Sequence, residues 1–233
     1  MFDFNLLDLI AGIPGLIIAM VIHEYAHARV AVALGDRTPL LMGRLTLNPA
    51  AHIDPIGLIM LFLVRFGWAK PVIIDPRNFK KPRRDDILVS LAGPFANLVT
   101  AFLALVALLV IKSTMGHLSV GVYQVFQLII IYNINFAIFN MIPLPPLDGS
   151  HVLVQLLPPK MAYAYARLER YSFLILIVLI MTPVLSMIFI AAAPHLAALR
   201  AHLDAVLLSG IAWTLQTRSI PSISRRSTAR SSS

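Results

Sequence analysis

The chain has 233 residues, 58% of them hydrophobic and 13% charged, with a formal net charge of +8 and no cysteine. A soluble domain carries about 25% charged residues, so this composition excludes a fully water-facing surface and calls for lipid over much of it. The missing cysteine excludes disulfides and thiolate metal sites and leaves His, Asp and Glu to hold any zinc.

The first span is expected over 6–33. Leu9 to Ile22 carries no charge, and His23-Glu24-Tyr25-Ala26-His27 follows in the second half of the span. Residues four apart share one helix face, so His23 and His27 can present two imidazole nitrogens to one zinc ion. Glu24 sits beside them as a base for a metal-bound water. A carboxylate and two imidazoles at the end of an apolar helix are costly without a partner, and a metal is such a partner. Pro14 and Gly15 are expected to bend the span, and Gly35 to cap it.

Residues 40–76 read as a strand or re-entrant region. Leu40 to Leu47 is too short to cross a membrane and is predicted as a strand, paired with a segment around Trp68 to Asp75. Leu58 to Val64 is a re-entrant or interfacial piece. Arg65 to Arg84 holds seven Lys or Arg against one Asp, which by the positive-inside rule places this loop in the cytoplasm. The positive charge as a whole lies in loops and a tail beside apolar spans. There it sets topology and touches anionic lipid, so nucleic acid is not expected as a partner.

A second span is expected over 87–111, with Gly93-Pro94 inside it, and a third over 118–142. The third ends in three prolines within four positions, Pro143, Pro145 and Pro146, which cannot continue a helix. The break delivers Asp148 on extended backbone, with Gly149 freeing the turn. Pro158 to Arg170 is a surface helix and 171–194 a last span. The 195–233 segment ends in a Ser/Arg-rich tail expected to be disordered. The fold class is therefore an all-α polytopic membrane protein, a helical bundle with a small β-strand or re-entrant element near the site. Residues 1–194 form the functional domain. The acidic N-terminus does not read as a cleaved signal peptide.

A catalytic zinc takes three protein ligands and leaves one position for water. Asp148 is the first carboxylate after the broken span and reaches the same face as the end of the first span. His52, Asp54 and His151 compete with it as third ligand. Asn97 and Asn140 are candidate donors to an oxyanion or to a substrate backbone, with hydrogen bonding between helices as the plainer alternative.

His23-Glu24-x-x-His27, Gly93-Pro94-x-x-Asn97 and Asn140-x-x-Pro143-x-Pro-x-Leu147-Asp148-Gly149, in this order and this apolar setting, resemble the site-2 protease family of intramembrane zinc metalloproteases. The stretch from Asn48-Pro49 to Ile56-Gly57 is similar to its compact bacterial members. The resemblance implies one zinc ion held by His23, His27 and Asp148, with Glu24 as catalytic acid-base and Asn97 and Asn140 near the scissile peptide. It implies a transmembrane protein substrate cut near the cytoplasmic side, and a multi-pass location in the cell membrane. No stretch has room for the inserted PDZ domain or the regulatory domain of larger members. A metal or ion transporter with an intramembrane His/Asp site is the alternative from another class. No repeated half with matching broken segments favours it.

Overall fold

Without water, an apolar stretch can satisfy its backbone only as helix or closed barrel, and helix is what this chain forms. The computed structural model describes residues 6–64, 68–115, 119–184 and 187. Helix α1 (Leu6–Leu34) continues through Pro14. It stops at Gly35, whose φ of +117° only glycine adopts readily. Asp36 N–H then reaches back to the Ala31 carbonyl at 3.0 Å, the six-to-one bond of a Schellman end. The expected cap is thus in place.

The expected strand over Leu40–Leu47 does not form. Thr38–Leu41 is instead a single helical turn, α2, opened by Pro39. Pro39 pre-sets a helical φ, and Leu41 and Met42 N–H groups bond to the Arg37 and Thr38 carbonyls at 3.0 Å. Gly43, with φ +67°, then reverses the chain. Among the described residues β pairing is confined to one antiparallel bridge, Ile53 with Ala69. Helix α3 (Pro55–Val64) is apolar and too short to cross a bilayer. Asp54 caps its start, accepting from the Ile56 and Gly57 N–H groups at 2.8 and 2.9 Å. Residues 70–75 run extended as a strap beside α1.

Helix α4 (Pro82–Met115) runs unbroken through Gly93-Pro94, and α5 (Val120–Asn140) follows. The segment Gly12–Leu34 of α1, together with α4 and α5, is long and apolar enough to cross a membrane. These three helices pack on one another. Gly12 and Gly15 face Tyr132 and the Leu128–Ile129 backbone so closely that any side chain would collide, the close approach that small residues permit between helices in lipid. The outward face of α4 is apolar: Phe95 is 68% exposed and Leu103 59%. Water would not tolerate such a belt. Helices α6 (Asp148–Leu156), α7 (Pro159–Ala166) and α8 (Ser172–Met181) complete the described fold. Most of the expected last span beyond α8, and all of 195–233, lie outside the described residues.

Asp36 ties the strap to the end of α1. Its carboxylate is fully enclosed. It accepts from Thr38 N–H and hydroxyl, from the Asn78 amide and from Asp75 N–H, at 2.6 to 3.0 Å. Burial pushes this carboxyl's pKa up, but these donors, the Thr38 hydroxyl first, outweigh it and hold the pKa below the ordinary 3.8. The stability it contributes is therefore complete above that value and is lost as pH falls through the lower folded value. Asp36→Ala should destabilise the protein by about 3 kcal/mol in detergent-solubilised thermal unfolding at neutral pH. The gap between parent and variant should close in acid.

Candidate metal centre

Three elements converge on one point inside the bundle. His23 and His27 stand one turn apart on α1, with ring centroids 4.5 Å apart and planes at 85°. Asp148, the first residue of α6, arrives from the proline-broken turn after α5. Its Oδ2 lies 3.1 Å from His23 Nε2 and 3.3 Å from His27 Nε2, and the two Nε2 atoms are 3.0 Å apart.

The other face of each ring fixes where its proton sits. Asn97 Nδ2 donates to the Ala19 carbonyl and to Asn133 Oδ1, at 2.8 and 2.9 Å. Its Oδ1 must therefore face His23, and His23 Nδ1–H donates to it at 2.8 Å. His27 Nδ1–H donates to the Val89 carbonyl at 2.7 Å. In the neutral ring each Nε2 then turns its lone pair inward, toward the buried Asp148 Oδ2.

Two ring nitrogens and a carboxylate oxygen converging at this spacing fit a cation. Zinc sits about 2.0–2.1 Å from nitrogen and oxygen ligands, which puts two ligand atoms of a tetrahedron roughly 3.4 Å apart. The observed 3.0 to 3.3 Å is close to that. The groups behind the rings, an amide oxygen and a main-chain carbonyl accepting from ring N–H, are of the kind that orient metal-binding histidines.

Gly93 makes the room. A Cβ there would lie 2.5 Å from His27 Nε2 and 2.6 Å from His23 Cε1. Phe136 closes another side, its ring edge-on to His23 at 5.0 Å.

Glu24, next to His23, is buried, and its Oε2 accepts from Val72 N–H in the strap at 2.9 Å. The remaining expected residues divide. Asn97 is fully enclosed and its amide is spent on His23, Ala19 and Asn133. Asn140 donates to the Phe136 carbonyl of its own helix at 3.0 Å. His52 and Asp54 serve the loop: His52 Nε2–H donates to the Thr46 carbonyl at 2.8 Å, and Asp54 caps α3. His151 points outward on α6, apart from the three converging ligand atoms. The roles of Gly93, Val89 and Asn133 were not legible as site roles. For Asn133 the signal was an amide inside an apolar span.

Gly93→Ala should drive the two rings apart. The expected result is at least a tenfold loss of zinc affinity in competition with a chelator, with helical content unchanged by circular dichroism.

Residues 110–183, which include the Asn140–Gly149 stretch, match peptidase family M50. The chain is 41% identical over 172 residues to YwhC of Bacillus subtilis, a protein named as a proposed zinc metalloprotease, covering 72% of this chain and 78% of that one. It is 32% identical over 181 residues to Rip2 of Mycobacterium tuberculosis, and 34% identical over 187 residues to Rip2 of Mycolicibacterium smegmatis. Both carry the same proposed activity in their names, and each match covers 75% of this chain and 68% of the relative. No solved structure matches. With a two-histidine, one-aspartate centre inside a bundle of apolar helices and relatives at this identity, the chain belongs to peptidase family M50, the site-2 protease family of zinc metalloproteases.

Proposed function

We propose that the protein cuts a peptide bond in or near a transmembrane segment of a membrane-protein substrate, as a step of regulated intramembrane proteolysis. His23, His27 and Asp148 hold the zinc and Glu24 moves the proton. The observation that carries the reading is the convergence of His23 Nε2, His27 Nε2 and Asp148 Oδ2 on one buried point.

Zinc held there supplies Lewis acidity to a water and to the scissile carbonyl. The chain's own groups do the rest. Val72 N–H fixes Oε2 of Glu24, which leaves Oε1 to take a proton from the attacking water and return it to the leaving amide nitrogen. Asn97 locks the His23 tautomer, so it is a positioning residue in this reading and not a donor to substrate. Asn140 remains a candidate at the substrate side, because it is half-buried at the end of α5 close to the turn that carries Asp148.

The two histidines lie roughly 10–16 Å from the C-terminal end of α1, at 1.5 Å per residue. That end adjoins the strap and the start of α4, where Lys70, Arg77, Lys80, Lys81, Arg83 and Arg84 gather. By the positive-inside rule this side faces the cytoplasm, and the cut falls toward it. A helical substrate keeps its carbonyls in its own hydrogen bonds, so the cut segment must unwind before it reaches Glu24.

Purified protein in proteoliposomes with a model transmembrane substrate tests the reading. The parent should cleave it, and Glu24→Gln should lose about 10²–10⁴-fold in rate while retaining zinc. Equal cleavage by both would overturn the role of Glu24. Metal flux without proteolysis would favour transport instead.

A further inference from the structure

We propose that Asp86 and Gln155 form a positioning pair, whose hydrogen bond sets where α6 presents Asp148 to the two histidines. The inference rests on the zinc reading above.

Helix α6 has nine residues, and no side chain caps its start. A helix this short has little stability of its own, so its neighbours decide its position. At its first turn Gly149 packs directly on the Met141 carbonyl, where no Cβ would fit. At its last turn Gln155 Nε2–H donates to Asp86 Oδ2 on α4 at 2.8 Å. Asp148 and Gln155 are two turns apart on one face, so a tilt or slide at Gln155 moves the ligand oxygen.

Asp86 shares its face of α4 with the metal centre. Asp86, Val89, Gly93 and Asn97 follow at spacings of three, four and four, one stripe of a helix. The Val89 carbonyl accepts from His27 Nδ1–H, Gly93 clears space for both rings and Asn97 Oδ1 accepts from His23 Nδ1–H. The same rigid stripe therefore sets both histidines and, through Gln155, the aspartate.

Asp86 is only 7% exposed. Enclosing a carboxylate is costly, and an apolar pair would join the two helices without that penalty. A directional bond does what an apolar contact does not, because it fixes register. The pair borders a cavity of about 170 Å³, also lined by Pro146, His151, Tyr165 and Glu169. With the bond gone, this end of α6 has room to move.

Full-length protein in detergent, stripped of metal and titrated with Co²⁺, tests the pair, since tetrahedral cobalt reports its ligands by visible absorption. The parent should show such bands, and Asp148→Ala should abolish or alter them. Gln155→Met keeps the bulk of the side chain and removes the bond. Gln155→Glu sets two carboxylates against each other. Both should bind Co²⁺ and Zn²⁺ at least tenfold more weakly and shift the bands. Adding Asp86→Asn to Gln155→Glu lets the new amide donate to the new carboxylate, the same bond reversed, and should restore both readouts. Metal-free melting temperatures separate folding from positioning, because a merely structural bond would lower them and leave the bands in place. Affinity within twofold of the parent for Gln155→Met, or no recovery by a double variant that melts like the parent, overturns the pair alone. A parent without tetrahedral bands overturns the zinc reading, and the pair with it.

Discussion

Three electron pairs aimed at one another are the constraint on which this fold depends. His23 Nε2, His27 Nε2 and Asp148 Oδ2 lie within 3.3 Å of each other and are buried. With neutral rings their lone pairs repel one another, and the repulsion grows as water is withdrawn. The bundle holds it together because each group is gripped from behind. The grips come from Asn97 on α4, the Val89 carbonyl on α4, and the short α6 packed against α4. A divalent cation turns the repulsion into the strongest attraction in the molecule.

Helix α4 is the organiser. Its outward face is apolar and meets lipid. Its inward face is a succession of small and polar groups with specific tasks, and the buried Asp85 and Asp86 lie in its first turns. Proline at 94 would be disfavoured in a soluble helix interior. In the membrane the loss is tolerable where neighbouring helices compensate. The dipeptide brings the unsubstituted backbone of Gly93 to the rings.

Much of this was legible in the sequence, and the failures have physical causes. The His-Glu-x-x-His spacing is local, so helical periodicity alone brought the two rings to one face. The proline run announced the break before Asp148, and Gly35 announced the end of α1. The strand over 40–47 does not form because a short apolar run is outweighed by Pro39, which starts a helical turn, and by Gly43, which ends it. The loop after it is set by Arg44, whose guanidinium donates to the Ala51 carbonyl, and by His52. Asn97 was harder still. An amide in an apolar helix serves a substrate or a neighbour equally well by composition, and only its partners His23 and Asn133, both distant in sequence, decide between them. The Asp36 knot and the strap that reaches Glu24 are long-range in the same way.

The amide chain behind His23 has one more consequence. Its hydrogen bonds run from His23 Nδ1 to Asn97, from Asn97 to Asn133, and from Asn133 Nδ2 to the Ile129 carbonyl at 2.9 Å, where they end on helix backbone. Buried histidines in a bilayer usually invite proton conduction along carboxylates or further imidazoles. On the Nδ1 side of His23 the side-chain links are carboxamides, which do not ionise. Behind Nδ1, then, the polar path is built from groups that do not titrate and closes on a main-chain carbonyl within the bundle.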